Sequence, residues 1–472
     1  MFKTFRGSNA IVRLLFALAT ASAANAQVLH VPFYPFNGAM RDDQFGYAVS
    51  EVGDVNNDGF DDFIVGAPVG PPFGGTTDIG FARVYSGASG AILYTFNGDS
   101  AFDQFGISVS GAGDVNNDSV PDFIVGARGD DNTGLDSGSA RVFSGANGAI
   151  LYTFNGDSAG DSFGVSVSGA GDVNNDGFDD LIVGATGDDN NGSNSGSARV
   201  FSGVNGSVLY TVNGDNAGDA FGHSVSVAGD IDGDGALDSL VVGAPFDDNN
   251  GNGSGSVRFI DAGSGTLGAT LNGESAGDQF GWSVSDLGDV NGDGFDDVIV
   301  GAPQDDNTSL NSGSARVISG MSMDTLYTLN GDRFQGQFGY SVSGLGRIST
   351  DVYSGIVVGS RPIMPSEGSG RVHLFSGRDG VLVLAMNGDS TGDHFGHSVS
   401  GVGDANNDGF DDFIVGAVLD DNNGTDSGSA RVFVSLLLPA SPAPCPADAD
   451  DNGSVTFNDI TIVLANLGAI CP

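Results

Sequence analysis

Lysine is all but missing from this 472-residue chain, with Lys3 the only one. Glutamate is nearly as scarce: Glu51, Glu274 and Glu367 stand alone, so 57 of the 60 acidic residues are aspartate. Against 16 basic residues this leaves a formal net charge of −44. No basic face is available to neutralise phosphates, which argues against nucleic acid and anionic membranes as partners. The shortage of Glu and Lys, beside 78 glycines, argues against a large helical protein. The five histidines show no HExxH or other zinc spacing, and neither a GxSxG elbow nor a Cys/His pair occurs. Paired carboxylates abound, but no glycosidase dyad stands out from them. No catalytic residue is therefore assigned, and the chain reads as a non-enzyme. Acidic disorder is the bland alternative, countered by 39% hydrophobic residues and 32 phenylalanines, enough for a core.

Long apolar runs are also lacking. Lys3, Arg6 and Arg13, the apolar stretch from Leu14 to Ala24 and the small-x-small sequence Ala24-Asn25-Ala26 read as a secretory signal peptide over residues 1–26. The apolar stretch is shorter than the roughly 20 residues needed to span a bilayer, and no other segment could span. A secreted or cell-surface location is expected.

What the chain has in plenty is self-similarity. Phe-Gly precedes a Ser-rich alternating segment at Phe45, Phe105, Phe163, Phe221, Phe280, Phe338 and Phe395. Each unit then runs through an Asp/Asn loop and an apolar strand such as Phe63-Ile64-Val65-Gly66-Ala67. A Gly-Ser-Ala-Arg-Val-Phe strand and one like Ile150-Leu151-Tyr152-Thr153-Phe154 complete it. Four short strands per unit, in tandem, are the mark of propeller blades. The last unit stops at Arg431-Val432-Phe433, and Val31–Gly38, near the other end of the chain, supplies a match for its missing strand. Such a strand closes a ring and removes open sheet edges. The expectation is an all-β, seven-bladed β-propeller over residues 27–438, closed by an N-terminal strand. An arginine recurs once per unit (Arg83, Arg141, Arg199, Arg258, Arg316, Arg371, Arg431), which suggests a structural ion pair.

The Asp/Asn loops carry the sharpest chemistry. Asp54, Asn56, Asp58, Phe60 and Asp62 occupy positions 1, 3, 5, 7 and 9, with glycine at 6. The pattern recurs at Asp172, Asn174, Asp176, Phe178 and Asp180, and at Asp230, Asp232, Asp234, Ala236 and Asp238. It recurs again at Asp289, Asn291, Asp293, Phe295 and Asp297, and at Asp404, Asn406, Asp408, Phe410 and Asp412. The second unit has Asp114, Asn116, Asp118, Val120 and Asp122, with Ser119 in the glycine position. Alternate side chains converge, the position-7 carbonyl can join them, and the last Asp closes an all-oxygen shell that suits Ca2+ better than Mg2+. Asx-turns without a metal are the competing reading. In the sixth unit Arg347, Ser349, Asp351 and Gly355 break the pattern, so no calcium is expected there and the Arg347 guanidinium stands in as a built-in cation facing Asp351.

On the Phe-Gly dipeptides, these loops and the Val-Gly-Ala-Pro variants that follow, the units resemble the FG-GAP repeats of the integrin alpha-subunit propeller over roughly residues 28–437. That resemblance implies a seven-bladed propeller with calcium loops.

Beyond a Pro-rich linker at 439–444 lies a small unit, 445–472. Asp448, Asp450, Asn452 and Asp459 take positions 1, 3, 5 and 12 of an EF-hand-type loop, followed by apolar residues at helical spacing. This calcium loop–helix module resembles one half of a dockerin. Dockerins pair two such units to bind cohesin and only one is present, which argues against a cohesin-type partner. Cys445 and Cys471 bracket the unit and are expected to form a disulfide. Six propeller sites and one tail site for Ca2+ are thus expected.

The residue after each Phe-Gly varies while its surroundings do not: Tyr47, Ile107, Val165, His223, Trp282, Tyr340 and His397. In a propeller these form a ring, and Tyr47, His223, Trp282, Tyr340 and His397 are candidate ligand-facing residues; blade-to-blade packing is the alternative use of such rings. Arg128-Gly129-Asp130 falls within the repeat and is read as coincidence rather than an adhesion tripeptide. The function expected is a non-catalytic adhesion or recognition module for an extracellular protein or glycan. The alternatives are a component of extracellular polysaccharide degradation, or a structural surface-layer or matrix protein.

Overall fold

A computed structural model describes residues 28–68, 79–231, 239–348, 353–364 and 368–437. Twenty-eight strands form seven four-stranded antiparallel sheets. Strand β1 (Val28–Asn37) comes first. The first blade is β2 (Ala48–Gly53), β3 (Asp62–Ala67), β4 (Phe81–Tyr85) and β5 (Ile92–Asn97), in that spatial order. The pattern repeats as β6–β9 (105–155), β10–β13 (163–213), β14–β17 (224–272), β18–β21 (283–330) and β22–β25 (338–387). The last blade is β26 (Phe395–Gly401), β27 (Phe413–Ala417) and β28 (Ser429–Leu437), and β1 adds its fourth strand beside β28. The expected closure is thus observed. The propeller is the unit His30–Ser435. The expected signal peptide, linker and tail module, with Cys445 and Cys471, lie outside the described residues.

Burial grades outward within each blade. The second strand, for example Asp122–Ala127 or Asp180–Ala185, is buried at every position. Both its faces touch neighbouring blades, which explains a continuous apolar run in place of alternation. The fourth strand, such as Ile92–Asn97, has no buried position and is exposed at Ile92, Thr95 and Asn97. The apolar clusters are shared between blades. Val52, Ile64 and Val84 of the first pack with Phe105, Phe123 and Val125 of the second. Phe36, Phe45 and Phe63 pack with Ile414 and Val432 across the closure.

The Phe-Gly dipeptide is the joint between blades. Each Phe pairs in parallel with the glycine that precedes the third strand of the blade before it: Gly80 with Phe105, Gly138 with Phe163, and so on to Gly428 with Phe45. All seven rings are buried to within 1% exposure, so this corner is dry. Glycine follows because its φ is near +90° at Gly106, and a Cβ there would lie 2.5 Å from the Phe81 carbonyl oxygen. Nearer the axis, serines bridge neighbouring blades: Ser108 Oγ donates to the Gly164 carbonyl at 2.8 Å, and Ser398 Oγ to the Gly46 carbonyl at 2.8 Å.

Six of the seven recurring arginines form the structural ion pairs expected of them; Arg83 lies over the Phe81 ring instead and makes none among the described residues. Arg258 is 2% exposed and reaches Asp215 at 2.6 Å. Arg199 holds Asp157 at 2.9 Å and Asp188 at 3.0 Å. Their guanidiniums also lie over the Phe-Gly rings, 5.1 Å from Phe221 and 5.5 Å from Phe163. The sixth blade departs from the register. Arg371 pairs with Asn387 as Ser139 pairs with Asn155, so His373, not Arg371, stands in the arginine position. His373 packs on Phe338 with centroids 5.1 Å apart, while Arg371 reaches Asp332 at 2.6 Å.

Truncating one joint should be severe. Phe163→Ala is expected to cost about 3–5 kcal/mol of stability by denaturant titration. A loss below about 1 kcal/mol would mean that the joint is not a principal stabilising contact.

Candidate functional site

The Asp/Asn loops connect the first two strands of each blade, at the far end of the first strand from Phe-Gly. In the first, Asp58 N–H donates to Asp54 Oδ1 at 3.0 Å and Gly59 N–H to Asp54 Oδ2 at 2.8 Å. Phe60 N–H donates to Asp58 Oδ1 at 3.1 Å. Asp62 is fully buried, accepting from Val55 N–H at 3.0 Å and from Gly87 N–H, in the turn between the third and fourth strands, at 3.0 Å. Position 9 thus ties the loop, the second strand and a turn together. The same bonds recur around Asp114 and Asp122, Asp172 and Asp180, and Asp289 and Asp297. In the last blade Asp404 accepts from Asp408 and Gly409 N–H, at 2.9 and 2.8 Å. Of the fourth loop's expected ligands only Asp230 is described; Asp232, Asp234, Ala236 and Asp238 lie outside the described residues.

These Asx-turns account for part of the aspartate, as the metal-free reading requires. Two observations fit a cation as well. The Asn174 amide nitrogen donates to Asp180 Oδ1 at 3.4 Å, while its Oδ1 is buried without a hydrogen-bond partner. Asp122 Oδ2 is likewise buried and unpartnered. An unmet buried oxygen is costly, and both belong to the ligand sets expected from spacing. Burial, reinforced by neighbouring loop carboxylates, pushes Asp62 and Asp122 up to about 7, and Asp180 and Asp297 up to about 6. The residues present fit a hard cation held by oxygen.

Sequence reasoning passed over position 8. Asp179 Oδ2 accepts from the Asp114 N–H of the preceding blade at 2.7 Å, and Asp179 N–H donates back to the Asp114 carbonyl at 3.3 Å. Asp296 repeats this on Asp230 at 2.8 and 2.9 Å. Asp411 N–H donates to the Arg347 carbonyl at 2.8 Å. Doubled aspartates at positions 8 and 9 occur in the first, third, fifth and seventh units, whereas the others carry Pro121, Leu237 and Ser354. That alternation was the available signal. In the sixth loop the Arg347 guanidinium lies 5.4 Å over the Phe410 ring; Ser349 and Asp351 lie outside the described residues.

The variable ring does converge. Tyr47, Ile107, Val165, His223, Trp282, Tyr340 and His397 line one mouth of the central channel, around a cavity of about 230 Å³. Five of them form an unbroken arc of ring contacts. Centroids are 4.4 Å apart for His223 and Trp282, and 5.6 Å for Trp282 and Tyr340. They are 5.2 Å apart for Tyr340 and His397, and 4.6 Å for His397 and Tyr47. The arc therefore both packs blade to blade and lines an opening. Burial holds His223 down to about 4 and His397 well below its ordinary value, so both are neutral near pH 7. His223 Nδ1–H donates to the Trp282 carbonyl at 3.0 Å. On the same strand face, valines such as Val49 and Val284 come next, and beyond them Glu51 and Asp286. Burial first, then loop aspartates, pushes each of those acids up to about 7.

Asp130 of the Arg-Gly-Asp sequence is 2% exposed and accepts from Ser139 Oγ at 2.7 Å, so the tripeptide is built into its blade. Position 6 shows local strain. Gly59 and Gly177 have φ near +90°, and Ser119 adopts φ +67° in the same place. Ser119→Gly is expected to raise stability by about 0.5–1 kcal/mol in a denaturant titration. A destabilised variant would show that the hydroxyl has a role of its own.

Four segments, residues 45–85, 163–201, 221–260 and 280–318, match the model of the FG-GAP repeat family. Over 223 residues, 44% of this chain, it is 30% identical to integrin alpha-V of Gallus gallus, covering 21% of that protein. Identity is 33% over 257 residues to integrin alpha-IIb of Mus musculus, covering 51% of this chain and 23% of that protein. It is 32% over 154 residues to integrin alpha-5 of Xenopus laevis, covering 30% of this chain and 14% of that protein. The chain thus spans less than a quarter of the length of these relatives. Among the described residues no helix is long and apolar enough to cross a membrane. The matched segments are the first, third, fourth and fifth blades, so the chain is a seven-bladed propeller carrying FG-GAP repeats, similar to the integrin alpha subunits.

Proposed function

We propose that this is an exported, calcium-loaded propeller that recognises an extracellular protein or glycan without catalysis, through the channel mouth. The observation that carries the reading is the arc of Tyr47, His397, Tyr340, Trp282 and His223. Repeats that are nearly identical elsewhere differ at this position, and the differing side chains meet at one opening. Amphipathic rings that combine apolar faces with polar edges suit recognition. Similarity to integrin alpha subunits supports an adhesion role. Replacing Trp282 and Tyr340 with Ala is expected to abolish capture of whichever ligand a calcium-supplemented screen of glycans and extracellular proteins returns. Undiminished capture by the double variant would refute the mouth as the binding surface.

Calcium would sit in the six loops opened by Asp54, Asp114, Asp172, Asp230, Asp289 and Asp404, with none at Arg347. A seventh ion would occupy the tail loop of Asp448, Asp450, Asn452 and Asp459. The ion would offset clustered carboxylates and satisfy oxygens such as Asp122 Oδ2. Binding only to the folded form stabilises by mass action, so chelator is expected to lower the melting temperature by many degrees. An unchanged midpoint would remove calcium from the reading.

The pH dependence has a definite sign. Asp62 and Asp122 in the folded protein are pushed up to about 7, from 3.8. Metal-free, the folded state holds more protons than the unfolded chain between about pH 4 and 7, so its stability falls as pH rises through that window. Calcium competes with those protons. The rise in melting temperature on adding calcium should therefore grow from pH 5 to pH 8, and equal shifts at both would contradict carboxylate ligation.

A further inference from the structure

Six of the seven arginines that recur along the blades of this acidic protein find an acid. Arg141, Arg199, Arg258, Arg316, Arg371 and Arg431 are each ion-paired to one or two carboxylates. Arg361 and Arg128 differ. They occupy the same repeat position, directly after the second strand, where other units hold Pro68, Thr186, Pro245, Pro303 and Val418. Neither forms an ion pair among the described residues. Arg361 Nη1 donates to His397 Nδ1 at 3.4 Å, and its guanidinium lies 4.4 Å over the Tyr340 ring. Arg128 Nε donates to the neutral Gln104 Oε1 at 2.6 Å.

Arg361 adjoins the channel mouth through its contacts with Tyr340 and His397, whereas Arg128 lines a separate hollow with Gln104 and Asp136. The charge of Arg361 acts on Tyr340 and His397, and that of Arg128 on Tyr340 and His223. Among the described residues, no carboxylate acts on these three rings. In a chain with 60 acidic residues, the lining of the mouth holds no acid, and one fixed cation, Arg361, adjoins its aromatic arc. A guanidinium stacked on a tyrosine is weakly hydrated and keeps its fork for a planar anion.

We propose that the mouth binds one carboxylated sugar, a uronic acid residue at the end of a glycan, with its carboxylate on Arg361 and its ring against Trp282 and Tyr340. This rests on the reading of the mouth as the recognition surface. A cavity of about 230 Å³ is below the size that holds a drug-sized ligand, so it takes one residue and not a length of chain. The net charge of −44 repels a polyanion at long range, which selects a single terminal acid over an acidic run. A pyranose offers an apolar C–H face for the rings beside its carboxylate. An aspartyl side chain offers the carboxylate with one methylene and leaves the arc unused.

The test uses the full chain with calcium, and Trp282 as its own reporter, since it is the only tryptophan. Fluorescence is titrated with methyl glucuronide, methyl glucoside and a short aspartate-containing peptide. The expected result is saturable change with the glucuronide, at least tenfold tighter than the glucoside and weakened by salt. Arg361→Leu should erase that preference with little change in glucoside binding, and Arg361→Lys should keep part of it. Melting curves of both variants establish that they fold. Equal binding of glucuronide and glucoside would leave the mouth as a recognition site and overturn the carboxylate inference. Response to the peptide alone would overturn the sugar assignment. No response to any probe, with a ligand captured equally by the Trp282→Ala and Tyr340→Ala double variant, would overturn both the inference and the reading it rests on.

Discussion

The buried Phe-Gly corner is the contact on which this molecule depends. It joins a backbone bridge to the preceding blade, a ring excluded from water and a glycine whose φ no other residue adopts cheaply. Repeated seven times, it converts a row of marginal four-stranded sheets into a closed ring. The bridge between Gly428 and Phe45 makes the first and last blades neighbours on the same terms as any other pair. Sheets this small have little core of their own, and the shared clusters between blades supply it.

That joint also separates two chemistries along each inner strand. At the Phe-Gly end the strand begins with a residue that differs from blade to blade, where backbone packing is satisfied by the corner and the side chain is free to differ. At the other end stands the Asp/Asn loop, whose closing aspartate is pinned by backbone N–H groups from its own blade. Position-8 aspartates such as Asp179 and Asp296 then reach across to the preceding loop, so the acidic end of the propeller is tied at alternate blade interfaces, where the Phe-Gly corners tie all seven. Like charges concentrated there without a compensating ion would oppose the compact state.

The distribution of cations follows the same division. Arg141, Arg199, Arg258, Arg316 and Arg431 on the third strands lie over Phe-Gly rings and answer acids in the connections between blades, a structural use. Arg361 beside the mouth, and Arg128 at the equivalent position of the second blade, have neutral partners instead, His397 and Gln104. The contrast arises because the turn after the second strand carries no structural charge pair at that position, which leaves it open to variation.

Much of this was legible in the sequence. The blade count, the four strands per blade and the completion of the last blade by the segment matched at Val31–Gly38 all follow from period and strand matching, because the repeats are local patterns. So does the convergence of the variable ring, since equivalent positions in a closed ring must face one axis. Three features depended on tertiary structure. His373 takes the arginine position in the sixth blade because register there is set by strand pairing and not by the spelling of the motif. The doubled aspartates divide their work, one inward and one to the neighbouring loop, only once blades are placed side by side. The meeting of Arg361 with Tyr340 and His397 joins residues from the sixth and seventh blades that are separated in sequence by other strands and turns. Periodicity determines what each unit builds; which side chains of different units touch is decided by the radius and closure of the ring, which no single repeat encodes.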